Sequence, residues 1–271
     1  VWKRFTGISL GDMLDGETAL RPVPDRVPLR DRCLSLDIEA TIADRRIHDL
    51  AVVGPDRSGK HGVVRLQYPA TPEDIARGAL EAMAKNDFVV GHNIDGLDLP
   101  LLREVIPGAR TPPSIDTLKL SPLAFPDRRH HRLGKDYRED GTRWRNDPEA
   151  DAWKALSVLW DQVSAFSGMD GRWLRCLHWL LTLGDDRDAY DAVMTEAREG
   201  KARPSSHHDV AGVLADIRSL FEGQVCLHGL RTALSATYRT GDGWPLAYAL
   251  SWIRSRGSSP APAEWVIRSS P

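Results

Sequence analysis

Cys33–Thr41, CLSLDIEAT, decides how this chain reads: Leu34, Leu36 and Ile38 alternate with Asp37 and Glu39 in a short β-prone run. A period of two puts the apolar residues on one face of a strand and both carboxylates on the other. Two like charges on one face repel, and one of them tends to keep its proton unless a cation offsets the pair. The same pattern also describes the solvent face of an edge strand, so its meaning depends on what the rest of the chain brings beside it.

Working outward, IHDLAVVG (47–54) and HGVVRLQY (61–68) are further apolar, β-branched runs separated by Asp, Arg, Gly and Pro, which predicts a three-strand meander. In TPEDIARGALEAMAKN (71–86), Thr71 can cap, Pro72 suits the first helical position, and Ile75, Ala79, Ala82 and Met83 recur at helical spacing. DFVVGHN (87–93) reads as a fourth strand, LDLPLLREVI (97–106) as a short helix, and SIDTLKLSPLAF (114–125) as a strand running into a loop. A long helix is expected from Asp147 to about Phe166. This order of elements predicts an α/β fold with a mixed sheet flanked by helices.

Beyond it, four helices are expected around 169–183, 186–199, 207–222 and 244–255, with no strand between them, so a smaller all-α region follows. Trp173, Leu177, Leu180 and Leu181 form one apolar stripe, and Val210, Val213, Leu214, Ile217 and Leu220 another; both read as packed core. The expected division is an N-terminal extension (1–29), an α/β domain (30–167), a helical domain (168–256) and a linker-like tail (257–271).

Composition sets the outer bounds. The chain has 271 residues, above the roughly 100 to 200 of a typical single domain. Its 41% hydrophobic and 27% charged residues are ordinary globular usage, enough to bury a core. A net charge of −2 excludes a protein whose whole surface embraces nucleic acid and leaves room only for a local basic patch. Cys33, Cys176 and Cys226 are isolated thiols without metal-site spacing, which suits a reducing compartment, and the expected location is the cytoplasm. No apolar run approaches the roughly 18 residues a membrane span needs, so no membrane partner is expected. The first residue, Val1, and the Pro/Ser-rich end SRGSSPAPAEWVIRSSP (255–271) suggest a piece of something longer.

Two further carboxylates are placed to join the first pair. In VVGHNIDGLDLPLL (89–102), a strand ending at Gly91 delivers His92 and Asn93 to the sheet edge before Asp98 opens a helix, although Asp is also a common turn and cap residue. In NDPEADAWKALSVLWDQ (146–162), Asp147 is a ready N-cap and Pro148 the first helical residue. Capping leaves Asp151 unexplained. Ala155 and Val158, at i+4 and i+7, put it on the edge of the buried face, where metal ligation would account for it.

LSLDIEAT (34–41), GHNIDGLDLPLL (91–102) and DPEADAWKAL (147–156) together resemble, in order, the three motifs of the DEDD superfamily of 3′ to 5′ exonucleases, whose domain is ribonuclease H-like. The resemblance covers roughly residues 30–167. It implies that Asp37, Glu39, Asp98 and Asp151 are the catalytic metal ligands, and their hard oxygen donors favour two Mg²⁺ or Mn²⁺ ions over zinc. More narrowly, IDTLKLSPLAFP (115–126), HHRLGKDY (130–137) and NDPEADA (146–152) are similar to exonuclease-like domains ahead of the motor in some bacterial RecQ-family helicases. That resemblance implies DNA rather than RNA as substrate and a helicase motor in the same polypeptide.

The chain departs from the superfamily where the general base is expected. The usual His lies five residues before the last Asp, or a Tyr four before it, and these positions hold Asn146 and Asp147. Tyr137, His130 or His131 are candidates to swing in. A rival third motif is SSHHDVAGVLADI (205–217), with His207 or His208 and Asp209 or Asp216, although its spacing fits poorly. RRHHRLGKDYREDGTRWR (128–145) supplies the local basic patch: Arg128, Arg129, His131, Arg132, Lys135 and Tyr137, with Asn93, are the expected nucleic-acid contacts. Basic groups meet phosphates and aromatic faces stack on bases, a combination suited to a single strand or a 3′ end. The same segment also reads as a solvated charged loop balanced by Asp127, Asp136, Glu139 and Asp140. The competing function is a non-catalytic nucleic-acid-binding or docking module on a degenerate exonuclease fold.

Overall fold

The alternation in Cys33–Ala40 becomes the central strand of a five-stranded sheet. The computed structural model describes residues 27–41, 43–55, 61–133, 147–184, 186–198 and 210–256. In chain order the strands are β1 (Cys33–Ala40), β2 (Ile47–Pro55), β3 (His61–Gln67), β4 (Phe88–Gly91) and β5 (Ser114–Asp116). The first helices are α1 (Pro72–Met83), α2 (Asp98–Val105), α3 (Thr117–Ala124) and α4 (Pro148–Ser167). They are followed by α5 (Gly171–Leu181), α6 (Arg187–Ala197), α7 (Val210–Leu220), α8 (Leu227–Thr240) and α9 (Trp244–Ser255). The sheet order is β3-β2-β1-β4-β5, antiparallel from β3 to β1 and parallel from β1 to β5. It is an α/β fold with a mixed sheet, consistent with a ribonuclease H-like architecture.

The register explains the two layers. Leu36 lies opposite Val52 and Ile38 opposite Leu50, and this apolar face packs on Ile75, Ala79 and Met83 of α1 and on Leu99 and Leu102 of α2. Thr71 caps α1 by accepting from the Asp74 amide, so the cap and the apolar stripe specify the same helix. Each fully buried Ile or Leu contributes about 1.5 to 3 kcal/mol, and such burial rather than helix propensity holds α1 in place. The opposite face of the sheet meets α4, whose Ala152, Leu156 and Leu159 share a core with Val53, Val90 and Ile115. This core continues past Gly168 into the helical region through Phe166, Trp173 and Leu177, and the Trp173 and Phe221 rings meet edge to face at 5.5 Å.

Two elements differ from the sequence reading. SIDTLKLSPLAF is a strand only over Ser114–Asp116 and then turns into α3. The Asp116 carboxylate accepts from the Leu118 amide and caps the helix, while Leu120, Leu123 and Ala124 are buried. The reading also lacks α8, although Leu227, Leu230, Ala233 and Leu234 recur there at helical spacing and Leu230, Ala233 and Leu234 pack on the core. Its end is signalled after all by Gly241, in the left-handed region at φ 71°. Among the described residues, no helix is long and apolar enough to cross a membrane. The N-terminal extension up to residue 26, the tail after residue 256 and most of the basic segment lie outside the described residues.

Candidate metal centre

The second half of β1 carries Asp37 and Glu39 on the face turned to α4. Two contacts fix the start of α4 over that face. Asp147 caps the helix by accepting from the Glu149 amide at 3.2 Å, and it also accepts from Arg65 at 3.1 Å. Arg65 in turn grips Asp49 of β2 at 2.7 and 3.2 Å, so α4 is tied to β2 and β3. One turn inside the helix, Asp151 is 2% exposed. One carboxylate oxygen each from Asp37, Glu39 and Asp151 lies within 4.8 Å of the other two. This is the only such group of three His, Cys, Asp or Glu ligand atoms among the described residues.

Asp98 stands next to this group without sharing it. The pairing of β1 with β4 ends at Ser35–Val90, and beyond it the Asp98 carboxylate accepts from the Ile38 amide at 2.9 Å, between Asp37 and Glu39. Asp98 is 3% exposed. Burial first, and the Asp37 charge second, push its pKa well above the usual aspartate range. Three of the four expected ligands therefore converge. The fourth is anchored to the backbone of the strand that carries two of them.

The loop between β4 and α2 is braced from below. The Asn93 amide donates to Asp116 at 2.9 Å, and Asp95 accepts from Ser114 at 2.5 Å and from Lys119 at 2.6 Å. Asn93 is exposed and sits at φ 68°, a conformation Asn tolerates better than most residues. His92 contacts the Thr117 hydroxyl through Nδ1 at 2.9 Å, and that hydroxyl donates to the Gly91 carbonyl at 3.1 Å. Burial holds the His92 pKa down, with a hydrogen bond to the His131 backbone and then the Asp151 charge pulling the other way.

Of the expected nucleic-acid contacts, Arg128, Arg129 and Arg132 are exposed, and the Arg128 guanidinium lies 3.8 Å from the centre of the Phe125 ring. His131 is half-buried and bonds Ser121 at 2.9 Å, and its pKa is lowered by burial and by Arg128. Lys135, Tyr137 and Asn146 lie outside the described residues, as do His207, His208 and Asp209 of the rival motif. The remaining rival carboxylate, Asp216, is engaged by Arg175 within the helical region. The sequence reading missed Thr117, Asp116 and Lys119 as supports of the site. Asp116 and Thr117 stand at the end of a strand beside the carboxylates, a position in an α/β sheet that draws functional groups.

Three carboxylates in this arrangement are a hard oxygen donor set, suited to Mg²⁺ or Mn²⁺ and poorly suited to zinc, which favours His and Cys. Family models, curated proteins and solved structures offer no match to this chain.

Proposed function

We propose that this chain is a metal-dependent 3′ to 5′ exonuclease acting on DNA, with single strands as its preferred substrate and a larger helicase-type repair protein as its context. The observation that carries the reading is the convergence of Asp37, Glu39 and Asp151, from two separate elements, on one point beside Asp98. The resemblance of the three motifs to the DEDD superfamily supplies the reaction class. Two Mg²⁺ or Mn²⁺ ions bound there would supply positive charge to the phosphodiester and make the attacking water more acidic.

The chain's own residues have separable roles. Asp37, Glu39 and Asp151 would hold the ions, and Asp98 fixes β1 in register with α2 while adding its oxygens to the same edge. The braced loop holds Asn93 at the rim. Arg128, Arg129 and Arg132 would meet the phosphates of the strand behind its 3′ end, because they bring charge without titrating near neutral pH. Cleavage of the bond between phosphorus and the preceding 3′ oxygen releases a nucleoside 5′-monophosphate. Asp147, at one of the usual base positions, is occupied by its cap and its ion pair. That observation favours the second reading, a binding module without efficient turnover.

The separating experiment is digestion of 5′-labelled single-stranded DNA, duplex DNA and RNA with Mg²⁺ or Mn²⁺, with chromatography of the products. A ladder shortening from the 3′ end together with 5′-monophosphates supports the exonuclease. Strand binding without products in either metal supports the module.

A further inference from the structure

The last two helices carry a charge that the rest of the chain does not. From Gly223 to Arg256 there are four arginines and one aspartate, in a protein whose net charge is −2. The aspartate, Asp242, lies in the turn between α8 and α9 and accepts from the Trp244 amide at 3.1 Å. α8 itself contains no acidic residue.

The helical period sorts α8 into two faces. Leu230, Ala233, Leu234 and Thr237 recur at three and four residues and turn inward, with Leu230 and Thr237 buried and Ala233 and Leu234 packed on the core. The opposite face consists of His228, Arg231, Thr232, Ser235, Tyr238 and Arg239, and all six are exposed. Tyr238 is 58% exposed, in the same stripe as Arg231 and two turns on. Among the described residues, neither Arg231 nor Arg239 forms an ion pair, whereas Arg32, Arg45, Arg65 and Arg175 each meet a carboxylate. Arg239 Nε donates to the Ser235 carbonyl at 3.3 Å, which steadies the guanidinium along the face and leaves its terminal nitrogens to a ligand. The Thr232 hydroxyl donates back to the His228 carbonyl at 3.1 Å, so short side chains separate the cations and the helix backbone can be approached closely.

We propose that this face of α8 binds the phosphate backbone of a single nucleic-acid strand, as a contact separate from Arg128, Arg129 and Arg132. Guanidinium groups complement phosphate oxygens in charge and in hydrogen-bond geometry, and no carboxylate on the helix repels the strand. Eight residues at about 1.5 Å each set Arg231 and Arg239 about 12 Å apart along the axis, about three to four phosphate steps of a stacked strand at about 3.4 Å each. Tyr238 offers an aromatic ring beside them, which an unpaired base can stack on and an acidic peptide cannot use. That the strand is DNA rests on the proposed exonuclease reading; the basic face itself does not.

The test is fluorescence anisotropy of labelled oligo-dT against the full chain in chelator, so that neither metal nor turnover enters. Arg231→Gln/Arg239→Gln should weaken binding about 25-fold at about 0.1 M salt, because each lost phosphate contact removes about 0.7 from the logarithmic salt slope, about fivefold per decade of salt. The slope itself should flatten by about 1.4. Arg231→Lys/Arg239→Lys keeps both charges and should retain most of the affinity. Tyr238→Ala should weaken binding at an unchanged slope, the mark of lost stacking rather than lost charge. Arg77→Gln/Lys85→Gln removes the same charge from exposed positions on α1 and just after it, and should leave binding nearly as it is. Circular dichroism checks that each variant folds. Oligo-U run beside oligo-dT shows which strand the face serves, and a preference for either supports it. Because binding is read without metal, a parent that fails to digest DNA in Mg²⁺ sinks the exonuclease reading and leaves this result standing. The proposal is overturned by absence of saturable binding to both strands, by binding unchanged in Arg231→Gln/Arg239→Gln, or by an equal loss in Arg77→Gln/Lys85→Gln. It is overturned equally by polyglutamate competing as well as the strand, which marks an acidic protein as the occupant.

Discussion

Replacing Asp98 by Asn removes a charge while keeping an oxygen for the Ile38 amide, so it isolates the electrostatics of the carboxylate cluster. Four effects compete in the absence of metal. Losing the charge weakens the bond to the amide by about 1 kcal/mol, the difference between charged and neutral hydrogen bonds. It also forgoes about 0.3 to 1 kcal/mol of interaction with the start of α2. Against these stand the burial of a 3% exposed carboxylate and its repulsion by Asp37, and the raised pKa shows that this side wins. A carboxyl whose pKa is raised on folding contributes stability in full below its unfolded pKa and loses it as pH rises through the folded pKa. Asp98 is therefore a penalty at neutral pH, and Asn, uncharged throughout, escapes it. The expected gain is about 1 to 2 kcal/mol, the usual size of a relieved functional-site charge. That is an increase of about 2 to 8 °C in Tm at pH 7 without metal. The assay is thermal unfolding of parent and variant in chelator between pH 3 and pH 8. The gain should shrink toward zero at the acid end, where Asp98 is protonated in both states. A variant that is no more stable at neutral pH, or equally stabilised at pH 3, would refute the reasoning.

Replacing Arg128, Arg129 and Arg132 together by Ala should raise the apparent KM for single strands more than it lowers kcat. It should also flatten the logarithmic salt dependence by about 0.7 for each phosphate no longer neutralised, read from digestion rates at several salt concentrations. Gly243→Ala places a methyl group 2.0 Å from the Leu180 carbonyl oxygen and should cost about 1 to 3 kcal/mol, seen as a lower denaturant midpoint at an unchanged m value. Thr117→Val leaves His92 Nδ1 and the Gly91 carbonyl without their shared partner. It should cost about 1 to 3 kcal/mol and alter the His92 ring nitrogens in ¹⁵N spectra, whereas an unchanged spectrum would deny the contact with Thr117.

The part of the fold legible in the sequence is the part where one local rule operates. Leu34, Leu36 and Ile38 alternate because that face of β1 packs on α1 and α2 while the face under α4 carries Ser35, Asp37 and Glu39, and Thr71 and Pro72 announce α1 with the cap that the structure uses. α8 was overlooked although Leu227, Leu230, Ala233 and Leu234 recur at helical spacing, because the stripe is short and Thr232, Ser235 and Thr237, poor helix formers, stand among these residues. The extent of β5 was misread because Ile115, Thr117 and Leu118 are good strand residues, and nothing local reveals that the Asp116 carboxylate caps a helix there. The site divides in the same way. Asp37 and Glu39 share a face by periodicity alone, and Asp151 was singled out because capping did not explain it. The bond from the Ile38 amide to Asp98 depends on β4 being shorter than β1, a tertiary fact with no signature in either segment. The bracing of Asp95 by Lys119 and of Asn93 by Asp116 is equally non-local.

The central claim is that the oxygens of Asp37, Glu39 and Asp151 hold divalent cations for phosphodiester hydrolysis. It is tested most directly by timed digestion of a 5′-labelled single-stranded DNA by the parent, Asp37→Asn and Asp151→Asn proteins, with Mg²⁺, Mn²⁺ or chelator. The account predicts shortening from the 3′ end by the parent only when metal is present, with losses of at least about 100-fold in both folded variants. Undiminished digestion in chelator, or activity in Asp37→Asn and Asp151→Asn equal to that of the parent, would contradict it.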